Sequence, residues 1–235
     1  MGSGKSTTAR WLARLFRRTG IPAQPVPEAR PHPTNVFRSL PHWKQPWLDL
    51  TSEELVRRNY VKWQAFVAKA LSSSHIFVFD GQLFHGDFTC LFLMNCPPQV
   101  LQQYVHTVLG LALPLHPMLI YCYQTDVAQA LDRIGAQRGQ GWVESQVAWK
   151  VASPYAQQRG WVGIDGWKQL YRDYRQLTDM CFQRLAIPTL AIETSAGEWS
   201  SYQTCIRTLL DLPFIPEPIC QRWFYKVYDY LVDIR

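Results

Sequence analysis

The sequence predicts an α/β protein in which a parallel β-sheet carries helices on both faces. Short apolar runs of strand length, such as HIFVFD at 75–80 and MLIYCY at 118–123, alternate along the chain with longer segments of helical periodicity. This alternation favours a parallel sheet, because each connection must return to the starting end of the sheet. No repeat or linker interrupts the pattern. We therefore expect one domain over residues 1–212, followed by a C-terminal extension at 213–235.

The predicted elements follow one another in a regular order. Residues 4–19 form a helix, since their apolar residues recur at helical spacing and Gly20 stands where a C-cap is expected. Thr51 and Glu54 form a capping-box pattern that opens a second helix, ending near Ser72. The other predicted helices are 97–112, 126–135, 166–185 and 198–210, and the predicted strands are 23–27, 75–80, 118–123 and 189–192.

Composition excludes several classes of protein. Hydrophobic residues make up 47% of the 235-residue chain and charged residues 18%, which is ordinary for a globular protein and excludes a disordered one. No apolar run is long enough to predict a transmembrane helix, so we expect no membrane partner. The six cysteines have neither CxxC nor metal-ligand spacing, which favours reduced thiols and a cytoplasmic location. The net charge of +6 comes without a recognition motif, so nucleic acid is not an expected partner.

The first residues, MGSGKST, have the composition of a phosphate-binding loop. Glycines allow backbone N–H groups to turn toward phosphate oxygens, and the following helix points its N-terminus at the same anion. A lysine reaches the β- and γ-phosphates, and a hydroxyl holds Mg²⁺. Here the turn is Gly2, Ser3 and Gly4, the cation is Lys5, the metal hydroxyl is Ser6, and Thr7 adds a phosphate contact. The sequence therefore predicts an ATP and Mg²⁺ site.

Asp80 is the second candidate metal ligand. It ends the predicted strand 75–80, a position from which a carboxylate can hold Mg²⁺ directly or through water. The alternative is a plain aspartate that leaves a strand for the turn at Gly81. Because the chain also carries the phosphate loop, we favour the metal role.

These features resemble the nucleotide-kinase-like branch of P-loop proteins, which contains thymidylate kinases and deoxynucleoside kinases. The stretches that carry the resemblance are GSGKSTTARWLARLF, HIFVFDGQLF and LIYCYQTDVAQALDRIGAQRG. The resemblance implies a Mg²⁺–ATP-dependent phosphotransferase whose acceptor is a small molecule, with a nucleoside or nucleotide as one candidate. It is specific at the phosphate loop. It departs from the family at Gly81, where those kinases usually carry an arginine.

The resemblance also implies roles outside the phosphate loop. Arg133 and Arg138 match arginines that stabilise charge on the transferring phosphoryl group, and Arg138 would open a mobile lid at about 137–163. The turn at 193–195 matches the loop that borders the adenine. Glu28 matches a glutamate that acts as base toward the acceptor hydroxyl. From the residues alone, Arg133 could equally be an exposed helix arginine and Glu28 a plain loop carboxylate.

The acceptor pocket is expected between the loops 28–50 and 82–95, with His85 and Asp87 among its polar residues. The aromatic residues of these loops could stack on a base, but core packing is the interpretation we favour. The aromatic residues of the two loops are Phe37, Trp43, Trp47, Phe84 and Phe88.

The resembled fold has a central strand before the phosphate loop, between the strands predicted at 75–80 and 118–123. The full motif, GxxxxGK[ST], would place its first glycine upstream of Met1. We therefore expect a gap between those two strands, and an apolar strand encoded in frame upstream.

Two other functions compete with the kinase. A nucleotide-binding regulatory module, or an inactive kinase relative, is favoured by Gly81 and by the shortened motif, whereas Asp80, Arg133 and Arg138 argue against it. An ATPase acting on nucleic acid is supported only by the net charge.

Overall fold

The computed structural model describes residues 2–28 and 32–212, so the predicted extension at 213–235 lies outside the described residues. The described chain is mixed α/β and mostly helical. Its helices are α1 (Lys5–Arg18), α2 (Ser52–Leu71), α3 (Asp87–Leu93), α4 (Pro98–Ala112), α5 (Val127–Arg138), α6 (Gln140–Val151), α7 (Pro154–Gln158), α8 (Gly163–Phe182) and α9 (Trp199–Leu209). Its strands are β1 (Ala23–Val26), β2 (Ile76–Phe79), β3 (Leu119–Tyr123) and β4 (Thr189–Glu193). Among these elements, no helix combines the length and the apolar character needed to cross a membrane.

The strands form two small parallel sheets. β1 pairs with β2, with Ala23 opposite Ile76 and Val26 opposite Phe79. β3 pairs with β4, with Leu119 opposite Thr189. The prediction of parallel strands is confirmed, but in the described chain they are divided between two sheets.

Alternate residues of β2 and of β3 face two different helical layers. Phe77 and Phe79 of β2 pack against the core formed largely by α2, α3, α4 and α8, whereas Val78 packs with α1. In β3, Tyr121 faces the first core and Ile120 the second. Both sheets are therefore enclosed by the same two layers, as the period-2 geometry of strands requires.

A cavity of about 820 Å³ separates β2 from β3. Every residue of both strands lines it, together with the face of α1 that carries Thr8, Leu12 and Phe16. The gap expected between these strands is thus present. It explains why both strands, predicted to be buried, are half-exposed over most of their length.

The helices that the sequence pattern missed are α3, α6 and α7. Residues Phe88 and Cys90 to Leu93 of α3 are all buried, so buried apolar side chains lie on several faces of this short helix and leave no amphipathic period to detect. In α6, Gly141 and the polar residues obscure the pattern.

Candidate functional site

The candidate site lies where the carboxyl ends of the strands meet the start of α1. Glu28 follows β1, Asp80 follows β2 and Gln124 follows β3. Parallel strands place their carboxyl ends at one edge, which is the usual ligand-binding edge of α/β proteins. The topology therefore gathers residues that lie far apart in sequence.

The phosphate loop has the backbone of an anion-binding turn. Gly2 and Gly4 have φ values of 72° and 78°, in the left-handed region that glycine tolerates best. Thr8 N–H donates to the Gly4 carbonyl at 2.9 Å, and no side chain caps α1. The first turn of α1 contains no acidic residue. Its N–H groups and its dipole are therefore available to an anion.

Close packing fixes the position of this loop. A Cβ on Gly4 would lie 1.9 Å from Cη2 of Trp199, so only glycine fits beneath that ring. Gln124 Nε2 donates to the Gly2 carbonyl at 3.2 Å, and Arg175 Nη1 donates to the Gln124 carbonyl at 2.7 Å. The loop is thereby tied to the end of β3 and to α8.

Lys5 extends from the first residue of α1 across Gly81. A Cβ on Gly81 would come within 2.9 Å of Lys5 Cε and 3.3 Å of His85 Cδ2. Within the described residues, the Lys5 ammonium has neither an ion-pair nor a hydrogen-bond partner. Its charge lowers the pKa of Glu28 and that of His85, which places Lys5 near both groups.

Asp80 has a donor set that suits a hard cation. Its N–H donates to the Val26 carbonyl at 3.0 Å, which anchors it at the sheet edge. Its Oδ1 is buried and has no hydrogen-bond partner in the described chain. No group of three or more His, Cys, Asp or Glu residues within 2–28 and 32–212 could hold a metal without other ligands. A Mg²⁺ that is shared with phosphates and waters needs only one or two protein ligands. Asp80 and the Ser6 hydroxyl fit that requirement. That the two residues hold one Mg²⁺ together stays a prediction.

Glu28 is the centre of a charged cluster. Its carboxylate pairs with the Arg38 guanidinium, and Oε1 lies 2.9 Å from His85 Nε2. Burial alone would raise the pKa of Glu28, but His85, through charge and hydrogen bond, lowers it together with Arg38 and Lys5 to about 2. Glu28 is therefore ionised at neutral pH.

His85 links Glu28 to two hydroxyl groups. Burial lowers the pKa of His85, against the opposing effect of Glu28, and Nε2 lies within hydrogen-bond distance of the Glu28 carboxylate. Nδ1 faces Thr89 Oγ1 at 3.5 Å, and Thr89 Oγ1 lies 3.0 Å from Tyr174 Oη. The ring is held in one orientation, as required of a group that positions a carboxylate.

Lys150, near the end of α6, brings a further cation to the cluster. It is only 3% exposed, and its Nζ lies 3.5 Å from the centroid of the Trp149 ring. Burial lowers the pKa of Lys150 to about 8, although Cys90 and Glu28 act to raise it.

A buried polar network holds the loop that carries Arg38. Asp87 Oδ2 accepts from Val36 N–H at 2.8 Å, and Oδ1 accepts from Phe37 N–H at 2.9 Å. Asn59 Nδ2 donates to the same carboxylate. Because Asp87 is fully buried and its oxygens serve these donors, our expectation that it lines the acceptor pocket is wrong. It is a structural residue that positions Arg38.

The aromatic residues of the two loops belong to the core, as we expected. Phe37, Phe84 and Phe88 are buried, and Trp43 and Trp47 pack against the same cluster.

The predicted lid region is helical. Arg133 Nη1 donates to the Ser195 carbonyl at 3.0 Å and Nη2 donates to Gln129 Oε1, so Arg133 contacts the turn expected to border the adenine. Arg138 ends α5 and is exposed. Within the predicted lid region lie α6 (Gln140–Val151) and α7 (Pro154–Gln158), and α6 packs against α5 and α8. The lid motion and the charge-stabilising roles of both arginines stay predictions.

Comparisons with protein-family models, with curated proteins and with solved structures gave no match for this chain. The chemistry of the site therefore rests on its own geometry.

The sequence did not point to Arg38 or Lys150. Arg38 lies in a loop with no motif, and Lys150 lies in a segment predicted to be a lid. The spacing of residues gives no signal for either, because tertiary packing alone brings them to Glu28.

Proposed function

We propose that this protein is a Mg²⁺–ATP-dependent phosphotransferase acting on a small molecule. The observation that carries the proposal is Lys5, a cation without a partner in the described chain, at an uncapped helix N-terminus and near the Glu28 carboxylate. Such a lysine suits the β- and γ-phosphates of a nucleoside triphosphate.

Each part of the phosphate loop has a role in this proposal. The N–H groups at residues 2–7 cradle the phosphates, and Lys5 neutralises the charge of the γ-phosphoryl group. Ser6 and Asp80 would hold Mg²⁺, which, when bound, neutralises charge on the phosphate oxygens. The buried Asp80 Oδ1 without a partner supports this assignment.

Glu28 orients the acceptor in this proposal. With a pKa of about 2, its carboxylate is a weak proton acceptor at neutral pH, because general bases work best when their pKa lies near the operating pH. It can still accept a hydrogen bond from the acceptor hydroxyl and align it. Phosphoryl transfer depends mainly on positioning and electrostatics, so an orienting role is sufficient.

The proposal assigns Arg138, and secondarily Arg133, to charge stabilisation during transfer. The planar guanidinium suits both phosphate binding and stacking on a base. The contact between Arg133 and the Ser195 carbonyl supports a position at the base-binding end of the site.

We further propose the nucleotide-kinase-like fold, with a fifth strand between β2 and β3. The cavity lies between two parallel strands, has an apolar lining, and reaches Ser3 and Lys5 at one end. A strand that ran through it into the phosphate loop would pair with the free edge of each sheet. The resulting order is β1, β2, the fifth strand, β3, β4.

The low pKa of Glu28 favours one alternative, a protein that binds nucleotide without transferring phosphate. Single-turnover transfer of the γ-phosphoryl group of labelled ATP onto a panel of small molecules separates the two. The kinase proposal expects acceptor-dependent loss of label from ATP, abolished in Lys5→Ala. Tight ATP binding with no transfer to any acceptor would favour the alternative.

A further inference from the structure

The cluster around Glu28 contains more positive than negative charge. Lys5, Arg38 and Lys150 all influence the pKa of Glu28 or have their own pKa influenced by it. Glu28 is the one carboxylate of this cluster with ion-pair contacts among the described residues, and those contacts go to Arg38 and His85. Lys150 is the buried cation of the three, and a buried positive charge is costly unless an anion compensates it.

Lys150 is the strongest sign of such an anion. Only 3% of Lys150 is exposed. Its ammonium nevertheless has no carboxylate or hydrogen-bond acceptor in the described part of the chain. Its contact is the face of the Trp149 ring. Lysine is rarely buried to this extent without a pairing partner.

Two further donors without acceptors lie beside it. Arg38 Nε and Trp149 Nε1 are buried and have no hydrogen-bond partner within the described residues. The Arg38 guanidinium lies 5.0 Å from the centroid of Trp43, and the rings of Trp43 and Trp149 meet edge to face at 5.6 Å. Arg38, the two tryptophans and Lys150 therefore form one continuous wall, in which Arg38 Nε, Trp149 Nε1 and the Lys150 ammonium have no acceptor within the described residues.

We propose that Arg38, Lys150 and Trp149 Nε1 bind an oxyanion, a phosphate or a carboxylate, carried by the phosphoryl acceptor. An oxyanion supplies several acceptor oxygens, as these donors require, and compensates the charge of Lys150. The site lies beside Glu28, the residue that orients the acceptor hydroxyl, and is distinct from the phosphate loop, whose cation is Lys5. The assignment of the oxyanion to the acceptor rests on the proposed function. The anion site itself does not depend on the proposed function.

Calorimetric titration with inorganic phosphate and with acetate tests this site. The titrations use Lys5→Ala as the parent, in which the phosphate loop has lost its cation, and compare it with Lys5→Ala carrying Lys150→Met. Methionine keeps the length of the side chain and removes the charge. Lys69→Met, at an exposed position of α2, controls for the loss of one positive charge.

We expect Lys150→Met to weaken binding of the preferred anion by at least about tenfold, since a charged hydrogen bond is lost, while Lys69→Met leaves it unchanged. Lys150→Arg should retain most of the affinity. Tighter binding of phosphate than of acetate assigns a phosphorylated acceptor, and the reverse assigns a carboxylate. Anion affinity that is equal with and without Lys150, or absent in the parent, would overturn the site.

A titration of ATP into the single variant Lys150→Met separates this inference from the proposed function. Unchanged ATP affinity together with lost anion binding is the result we expect. If Lys150→Met reduces ATP affinity as strongly as Lys5→Ala does, Lys150 belongs to the nucleotide site and the inference fails. Thermal unfolding shows whether the variant folds, and replacing an unpaired buried lysine by methionine should not lower its stability.

Discussion

Lys5 crosses directly over Gly81, so closely that a Cβ on Gly81 would lie 2.9 Å from Lys5 Cε. The kinases that the sequence resembles usually have an arginine at the position of Gly81. In this chain the absence of a side chain at residue 81 lets Lys5 approach Glu28 and His85. The position of Lys5 is thus coupled to the absence of a side chain at residue 81.

Gly81→Ala should therefore weaken ATP binding. The new methyl group displaces Lys5 Cε, which weakens a charge-assisted contact with the phosphates that is worth about 1.5–3 kcal/mol. Gly20→Ala is the matched control, because Gly20 has a similar φ of 81° but a Cβ there meets no atom within 4 Å. Both variants should lose similar stability from backbone strain. Similar ATP affinities in calorimetry would contradict the role of Gly81.

Stability should fall as the pH falls below about 6.5, and His32 should account for part of the loss. Burial is the main cause that lowers the pKa of His32 to about 4, with Lys62 adding to it. Its Nδ1 faces the N–H groups of Thr34 and Asn35 at 3.2 and 3.1 Å. The folded state favours the neutral ring, so the stabilisation is complete above pH 6.5 and is lost as the pH falls through about 4.

His32→Asn isolates this effect, because the asparagine oxygen can accept the same N–H groups but does not titrate. Urea unfolding at pH 7 and pH 4.5 should show a smaller pH dependence in the variant, by on the order of 1–3 kcal/mol. Parallel pH profiles for wild type and variant would show that His32 does not carry the effect.

Asp87→Asn should destabilise the protein by about 1–3 kcal/mol, because an amide NH₂ would replace an oxygen that accepts from buried donors. Asp49→Asn is a comparison in the neighbouring loop, where Asp49 accepts from His42 N–H in an exposed contact. Asp49→Asn should lower the free energy of unfolding by much less. Equal losses of unfolding free energy in the two variants would argue against a special role for the buried network.

The sequence predicted the elements whose pattern is local. Thr51 caps α2 by accepting from Glu54 N–H at 3.2 Å, as the capping box requires, and all the predicted strands are present. The sequence did not predict α3, because burial removes its periodic pattern. It also did not predict residues that acquire their role through distant contacts. Lys150 and Arg38 reach Glu28 only through the folding of α6 and the loop after β1, which no spacing rule describes.

A strand joined before Gly2 should fill the cavity between β2 and β3. A segment of alternating valine and isoleucine ending in glycine has the β-propensity and apolar character that the lining requires. Hydrogen exchange should then slow at the amides of Ile76–Phe79 and Leu119–Tyr123 that face the cavity, and thermal stability should rise. The same segment with lysine at alternate positions is the control. Unchanged exchange with the apolar segment would contradict the five-stranded arrangement.

We propose that residues 2–7 bind the phosphates of a nucleoside triphosphate, and calorimetry measures this binding. Mg²⁺–ATP and AMP are titrated into wild type and into Lys5→Ala, with far-UV circular dichroism as the check on folding. We expect wild type to bind ATP far more tightly than AMP, and Lys5→Ala to stay folded but to lose at least about tenfold in ATP affinity. A folded Lys5→Ala variant that binds ATP as tightly as wild type would contradict it.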